Sequence, residues 1–178
     1  MGKYKYLFGP VPSRRLGVSL GIDLIPYKTC SFDCLYCECG FTTNHTSERQ
    51  NFIDYKDILI ELEDFMKHND EPDFITYSGS GEPTLYKDLG ILSKEIKKMF
   101  PHTKLALITN TSLFWMDEVL EDAMECDVIL PSVDSLIESE FEKLDRPVSN
   151  ISIEMIKNGL LKFSEKFKGE IWVEIFID

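Results

Sequence analysis

Residues 30–37 read Cys-Ser-Phe-Asp-Cys-Leu-Tyr-Cys and bring three cysteines into one short segment. Three thiolates on one loop can hold three corners of a cubane iron–sulfur cluster, whose irons are normally held by four Cys thiolates. The C-x3-C-x2-C spacing therefore predicts that Cys30, Cys34 and Cys37 are cluster ligands. It also predicts that one iron is left open for a substrate or cofactor.

A zinc site competes with this interpretation. Cys39 lies two residues beyond the last of the three cysteines, so four thiolates are available on one loop. Structural zinc sites usually take two separated pairs of ligands, which favours the cluster from spacing alone. A zinc-binding module without catalysis and an electron-transfer iron–sulfur module both stay open at this point.

Short β-branched runs alternate with amphipathic helical stretches along the whole chain. This alternation is typical of βαβ units with a parallel sheet, and right-handed crossovers curl such a sheet into a barrel or a doubly wound sheet. The predicted fold class is α/β. Strands are predicted over residues 20–25, 74–78, 105–109, 128–132 and 171–177.

Capping signals predict where three of the helices begin or end. Asp54 is the expected N-cap of the first helix, and Ser135 with Glu138 forms a capping-box pattern before a short one. Gly169 is the expected C-cap of the last helix.

Residues 78–83, Ser-Gly-Ser-Gly-Glu-Pro, follow the second predicted strand directly. Gly79 and Gly81 let the backbone approach a ligand closely. Glu82 adds a carboxylate at the carboxyl end of the strand, where parallel α/β folds place their sites. The alternative is an ordinary strand-to-helix turn with an acidic residue that favours the helix dipole.

Taken together, the cysteine loop after strand one and the Gly-Glu-Pro turn after strand two resemble the radical S-adenosylmethionine (radical SAM) superfamily. The resemblance runs the full chain. It implies a partial (β/α)6 TIM-like barrel that is cut after strand five. It also implies a single core domain over residues 1–178, with residues 1–17 as an N-terminal extension and the C-terminal part of the barrel absent.

The resemblance also implies the cofactors and their ligands. Cys30, Cys34 and Cys37 would bind a 4Fe–4S cluster, and the open iron would chelate the amino and carboxylate groups of S-adenosylmethionine. The turn with Gly79, Gly81, Glu82 and Pro83 matches the one that receives the amino group. Other positions implied to contact the cofactor are Tyr36 beside the adenine, Asn110 after strand three, and Ser132 and Asp134 after strand four.

Glu174 is a further candidate, from strand alternation. In the fifth predicted strand, Trp172, Glu174 and Phe176 share one face, and the opposite face is aliphatic. The aliphatic face is expected to pack on helices, which turns Glu174 into the barrel. A charge there is costly unless it is paired. We therefore hypothesise a polar partner for Glu174 near the cofactor or substrate, with a solvated glutamate as the alternative.

The implied activity is that of a radical SAM Fe–S oxidoreductase. In such an enzyme, a reduced cluster cleaves S-adenosylmethionine reductively to a 5′-deoxyadenosyl radical that abstracts hydrogen from a substrate, here unknown. The implied partner is a one-electron reductant of the flavodoxin or ferredoxin type. Residues 8–17 are similar to a branch of uncharacterised Fe–S oxidoreductases related to 4-demethylwyosine synthases, which modify tRNA and use extra cysteines for a second cluster. Here only Cys39 and Cys126 remain.

Composition bounds the partners and the location. The net charge of −12 argues against a broad phosphate-binding surface, so nucleic acid is not expected, although tRNA stays open. Apolar runs are strand-sized and the N-terminus lacks the apolar core of a signal peptide, so neither a membrane span nor export is expected. We expect a cytoplasmic protein whose cysteines are thiols or metal ligands.

Overall fold

An α/β sheet organises residues 3–175, the part of the chain that the computed structural model describes. Its parallel strands follow the predicted alternation with helices, and the predicted α/β class is confirmed. The strands are β1 (Leu7–Ser13), β2 (Gly17–Ile22), β3 (Thr29–Cys30), β4 (Asn44–His45), β5 (Phe74–Tyr77), β6 (Lys104–Thr109), β7 (Val128–Pro131) and β8 (Glu170–Ile171).

The main sheet has the order β1-β2-β5-β6-β7-β8. All neighbouring strands from β2 to β8 are parallel, and β1 is antiparallel to β2. Parallel neighbours need crossover connections, and helices supply them. The α-helices are α1 (Tyr55–His68), α2 (Leu89–Met99), α3 (Asp117–Ala123), α4 (Glu138–Leu144) and α5 (Ile153–Ser164). No helix among residues 3–175 is long and apolar enough to cross a bilayer.

The two faces of the sheet have different cores. The larger core lies between the sheet and the helices, where Leu62 of α1 and Leu107 of β6 are fully buried. A smaller cluster covers the opposite face and includes Phe74, Ala106 and Leu130. Successive side chains of a strand point to opposite faces, which explains why neighbouring residues enter different cores.

The N-terminal hairpin was not predicted. The first predicted strand, residues 20–25, is observed as β2, which starts and ends three residues earlier. Residues 7–13, within the segment set apart as an extension, form β1 at the edge of the main sheet. The prolines in β1 disguise it in the sequence, but an edge strand tolerates them. Leu16 in the hairpin turn is 4% exposed and enters the smaller core.

Two of the capping predictions are wrong and one is confirmed. Asp54 caps α1 by accepting from the Lys56 backbone N–H at 3.0 Å. Helix α4 instead begins after Ile137, which has no polar side chain to cap it. The Glu138 carboxylate accepts from the Ile153 backbone N–H at 3.2 Å, which joins α4 to α5.

Helix α5 ends earlier than predicted, with Glu165 rather than Gly169 after its last turn. A Cβ at Gly169 would overlap the carbonyl oxygen of Asp127. The Glu170 backbone N–H donates to that same oxygen at 3.0 Å. Gly169 therefore allows the start of β8 to lie close to the segment before β7.

Within its described residues, the predicted fifth strand is largely irregular backbone. After β8, an isolated bridge joins Ser132 to Glu174. Val173 and Ile175 are 54% and 62% exposed, so the expected packing of this aliphatic face on helices is wrong for the described residues. Phe176, with residues 177 and 178, lies outside the described range.

We expect Gly159→Ala to destabilise the fold. A Cβ there would lie 2.5 Å from the Phe114 carbonyl carbon and oxygen, in a helix that packs on the segment after β6. Ala is favoured over Gly in helices by about 1 kcal/mol, but overpacking against backbone costs about 1–3 kcal/mol. Urea unfolding should therefore show a net loss of stability. Asn158→Ala, at the exposed neighbouring position, is the control. Equal stability of Gly159→Ala and wild type would contradict close packing of α5.

Candidate cofactor site

The three predicted ligand cysteines lie on one loop that begins in β3. Their side chains are half-buried free thiols, and so is that of Cys39. The residues after α4 hold this loop by backbone hydrogen bonds. Leu35 N–H donates to Leu144 at 2.9 Å, Asp33 N–H to Asp145 at 3.0 Å, and Val148 N–H to Ser31 at 2.9 Å, each to the carbonyl oxygen.

Nitrogen donors surround two of the three sulfurs. The Lys28 ammonium lies 3.1 Å from Cys37 Sγ. Cys30 Sγ is approached by the Phe32 backbone N–H at 3.5 Å and by the Asn110 side-chain amide at 3.6 Å. N–H donors and a cation stabilise thiolate sulfur, and hydrogen bonds to sulfur are one of the factors that tune iron–sulfur clusters. The donor set therefore fits a thiolate-bound cluster.

In the metal-free protein Cys30 and Cys34 hold their protons. Burial raises the pKa of Cys30 to about 12, and the negative charge of Glu82 adds to this effect. Burial, with Asp145 beside it, also raises the pKa of Cys34 well above its usual range. For Lys28, burial opposes the charge, but the contact with Cys37 outweighs it and raises the pKa. Thiolates are the metal ligands, so metal loading must release these thiol protons.

The described residues contain no preformed site for a single metal ion. Within residues 3–175, no three His, Cys, Asp or Glu side chains are grouped so that they could hold one. The four thiols of the loop therefore do not converge on a single point in this part of the structure. A 4Fe–4S cluster is larger, and its thiolates bind separate irons.

The glycine-rich turn packs directly on the cysteine loop. Lys28 N–H donates to the Ser80 carbonyl at 3.1 Å, and Glu82 N–H donates to the Thr29 carbonyl at 3.3 Å. A Cβ at Gly81 would overlap that Thr29 oxygen, so only glycine fits at this position without a shift of the backbone. At Gly79, which has φ +141°, a Cβ would overlap the Asp23 carboxylate.

Glu82 is 2% exposed and its carboxylate accepts four hydrogen bonds within the chain. Oε1 accepts from Thr84 N–H at 3.0 Å and from the Thr84 and Thr109 hydroxyls at 2.6 Å each. Oε2 accepts from Asn110 N–H at 2.8 Å. Burial raises the pKa of Glu82, while these hydrogen bonds oppose the shift. A carboxylate offers about four acceptor positions, and these four hydrogen bonds use them. Because Thr109 and Asn110 lie at the end of β6, Glu82 also joins the turn to that strand end.

Asn110 and Thr111 complete that strand end. The Asn110 side-chain amide donates to Ser31 Oγ at 3.0 Å and its oxygen accepts from Ser112 N–H at 3.0 Å. Thr111 adopts φ +59° while fully buried. A β-branched residue is rare in this left-handed region, which glycine enters freely.

Tyr36 connects the cysteine loop to two carboxylates. Its hydroxyl contacts Asp134 after β7 and donates to Asp145 Oδ1 at 2.9 Å. Cys34 Sγ lies 3.5 Å from the same Asp145 oxygen. Burial, together with the nearby charge of Asp134, raises the pKa of Asp145 to about 7. Asp145 is 4% exposed.

Glu174 has a charged partner, and its place near a cofactor or substrate stays a prediction. Arg15, from the turn between β1 and β2, forms an ion pair with the Glu174 carboxylate. Ser132 lies beside Glu174 through the backbone bridge between them. The two charged side chains are 52% and 27% exposed, so water screens the pair.

The structure thus joins most of the predicted site residues at the carboxyl ends of the strands. Cys30 contacts Asn110, Asn110 contacts Glu82, and Tyr36 contacts Asp134. Pro83 begins a buried 3₁₀ turn. Within residues 3–175, no hydrogen bond joins it to the cysteines. The sequence analysis missed several residues of this network. Lys28, Ser31, Thr84 and Thr109 are polar residues within or next to a motif, which could have indicated them, whereas Asp145 is distant from the motifs in sequence and gives no such signal.

We expect Glu82→Ala to destabilise the metal-free protein. It leaves two buried hydroxyls and two backbone N–H groups without their acceptor, and each such group costs about 1–3 kcal/mol. Urea unfolding should show a loss of at least about 2 kcal/mol on this scale. Glu38→Ala, at an exposed position of the cysteine loop, is the control. Unchanged stability would mean that the carboxylate is held for the cofactor alone.

We expect Asp145→Asn to change how stability depends on pH. A carboxyl group whose pKa rises on folding stabilises the protein fully below its unfolded pKa, and this contribution is lost as pH rises through the folded pKa of about 7. Between about pH 5 and about pH 8, wild type should therefore lose more unfolding free energy than the variant. Parallel pH profiles of the two metal-free proteins would contradict a buried, protonated Asp145.

Relatives of known sequence match almost the whole chain. A protein named GTPase Obg from Brachyspira hyodysenteriae is 43% identical over 175 residues, which is 98% of this chain and 26% of that protein. UPF0026 proteins of Methanocaldococcus jannaschii and Synechocystis are 40% and 41% identical, each over 96% of this chain and over 53% and 64% of their own lengths. The chain thus spans only part of these relatives. It contains no G-x4-G-K-[ST] loop for a nucleotide phosphate.

Two solved structures share the fold at low sequence identity. The structure described as native anSMEcpe with bound AdoMet has a TM-score of 0.56 and 17% identity, over 87% of this chain and 42% of that one. TYW1 with a lysine-pyruvate adduct bound has a TM-score of 0.55 and 16% identity, over 88% and 54%. The architecture therefore agrees with the partial TIM-like barrel that the resemblance implied.

The family model described as the Radical SAM superfamily matches residues 24–177. This range contains the cysteine loop, the glycine-rich turn and the strand ends that meet them. The chain belongs to the radical SAM superfamily.

Proposed function

We propose that this chain is the catalytic domain of a radical SAM enzyme that holds a 4Fe–4S cluster on Cys30, Cys34 and Cys37. The observation that carries the proposal is the contact between the cysteine loop and the glycine-rich turn. Gly81 packs on Thr29 with no room for a Cβ, so the two motifs form one site. The family implies an iron–sulfur cluster and S-adenosylmethionine, and these residues have the chemistry to bind both.

Bound together, the cluster and S-adenosylmethionine supply the one-electron chemistry that cleaves a sulfonium and abstracts hydrogen from a substrate. The residues of this chain bind and orient. The carbonyl groups of the turn around Gly79 and Gly81 suit a cationic amino group. Tyr36, held by Asp134 and Asp145, offers a ring beside the cysteines for an adenine. Ser132 and Glu174 would complete the wall on the side of β8.

The partners follow from this chemistry. The cluster needs a one-electron reductant, and we propose one of the flavodoxin or ferredoxin type. The substrate is a separate question, in which a glycyl-radical partner protein, a small molecule and tRNA stay open. The net charge of −12 disfavours nucleic acid, since binding rests largely on basic residues that neutralise phosphates.

The number of essential cysteines tests the proposal. After anaerobic reconstitution, wild type should hold about four iron and four sulfide per chain, as a cubane requires. Cys34→Ala should lose the cluster, because only two of the three ligand thiolates remain and two cannot hold a cubane. Cys39→Ala, on the same loop and also half-buried, should keep it. Iron and sulfide analysis with visible absorbance measures all three proteins.

Two outcomes would contradict the proposal. A single zinc ion in oxygen-free protein, lost in both Cys34→Ala and Cys39→Ala, would identify a four-thiolate zinc module. A loaded cluster that releases no 5′-deoxyadenosine with S-adenosylmethionine and dithionite would identify an electron-transfer module.

A further inference from the structure

Lys28 is a buried cation beside the proposed cluster. Lys28 is 2% exposed, and its ammonium lies 3.1 Å from Cys37 Sγ. Lysine is almost never fully buried unless it is paired. Among the ion pairs of residues 3–175, Lys28 takes part in none with a carboxylate. The sulfur of Cys37 is thus the group on which its charge acts.

The backbone at Lys28 does not call for a lysine. Its φ of +56° lies in the left-handed region, which glycine enters freely and other residues enter at a cost. Backbone hydrogen bonds hold the residue in this conformation. Its N–H donates to the Ser80 carbonyl, and its carbonyl accepts from the N–H groups of Thr43 and Asn44 at 3.0 Å each. Strained backbone that is held in this way clusters at functional sites. The backbone conformation therefore does not explain why this residue is a lysine, and we look to its side chain for the reason.

We propose that Lys28 sets the reduction potential of the cluster. An added electron makes the cluster and its thiolates more negative by one charge, and a fixed ammonium next to a ligand sulfur stabilises that reduced state. Net charge and hydrogen bonds to the sulfurs are the terms that set cluster potentials. The electron comes from the one-electron reductant. This inference rests on the cluster of the proposed function, and it assigns Lys28 a tuning role without contact to the substrate.

The test is a potentiometric titration of reconstituted protein without S-adenosylmethionine, followed by electron paramagnetic resonance of the reduced cluster. Lys28→Met and Lys28→Gln remove the charge while keeping an unbranched side chain at this backbone conformation. Both should shift the midpoint potential to more negative values. Lys28→Arg keeps the charge and should remain near wild type. Lys98→Met, which removes an exposed lysine from α2, is the control for net charge.

Equal potentials in wild type and both neutral variants would overturn the inference and leave the proposed function intact. Loss of the cluster in both neutral variants but not in Lys28→Arg would also overturn it, because Lys28 would then serve assembly. Failure of wild type itself to take up a cluster would instead overturn the proposed function, and this inference with it.

Discussion

The buried carboxylate of Glu82 fixes the geometry on which the candidate site depends. It accepts hydrogen bonds from Thr84, Thr109 and Asn110, so one side chain connects the glycine-rich turn to the end of the neighbouring strand. Asn110 in turn reaches the sulfur of Cys30. A buried charge is tolerable only when such donors surround it. The same donors therefore stabilise the carboxylate and place the turn, the strand end and the cysteine loop in one arrangement.

A second anchor holds the opposite side of the cysteine loop. The backbone of residues 144–148 pairs with residues 31–35, and Asp145 contacts both Tyr36 and Cys34. A loop held from two sides has fewer conformations available before it binds a ligand. Preorganisation of this kind lowers the cost of ordering on binding. A segment that follows α4 and is distant in sequence thus contributes to the site.

The sequence indicated the parts of this site that are local in the chain. The spacing of the cysteines and the turn of Gly81 and Glu82 are contiguous motifs, and each follows a strand that its apolar run predicts. The partnership of Asp145 with the cysteine loop spans more than a hundred positions and leaves no periodic signal. The edge strand Leu7–Ser13 escaped prediction for another reason, since its prolines contradict ordinary strand propensity. Long-range polar contacts and edge strands were therefore missed, whereas the fold class was not.

Charge is distributed in a way that the net value hides. The chain carries −12 overall, yet the sulfur of Cys37 is contacted by the cation of Lys28. On the other side of the loop, burial and the charge of Asp134 raise the pKa of Asp145 and so favour its neutral form. The raised pKa of Asp145 reduces the negative charge beside Cys34, and the ammonium of Lys28 adds a positive charge beside Cys37. Both effects would favour the anionic cluster that we propose, because interactions between buried groups are screened far less than those at the surface.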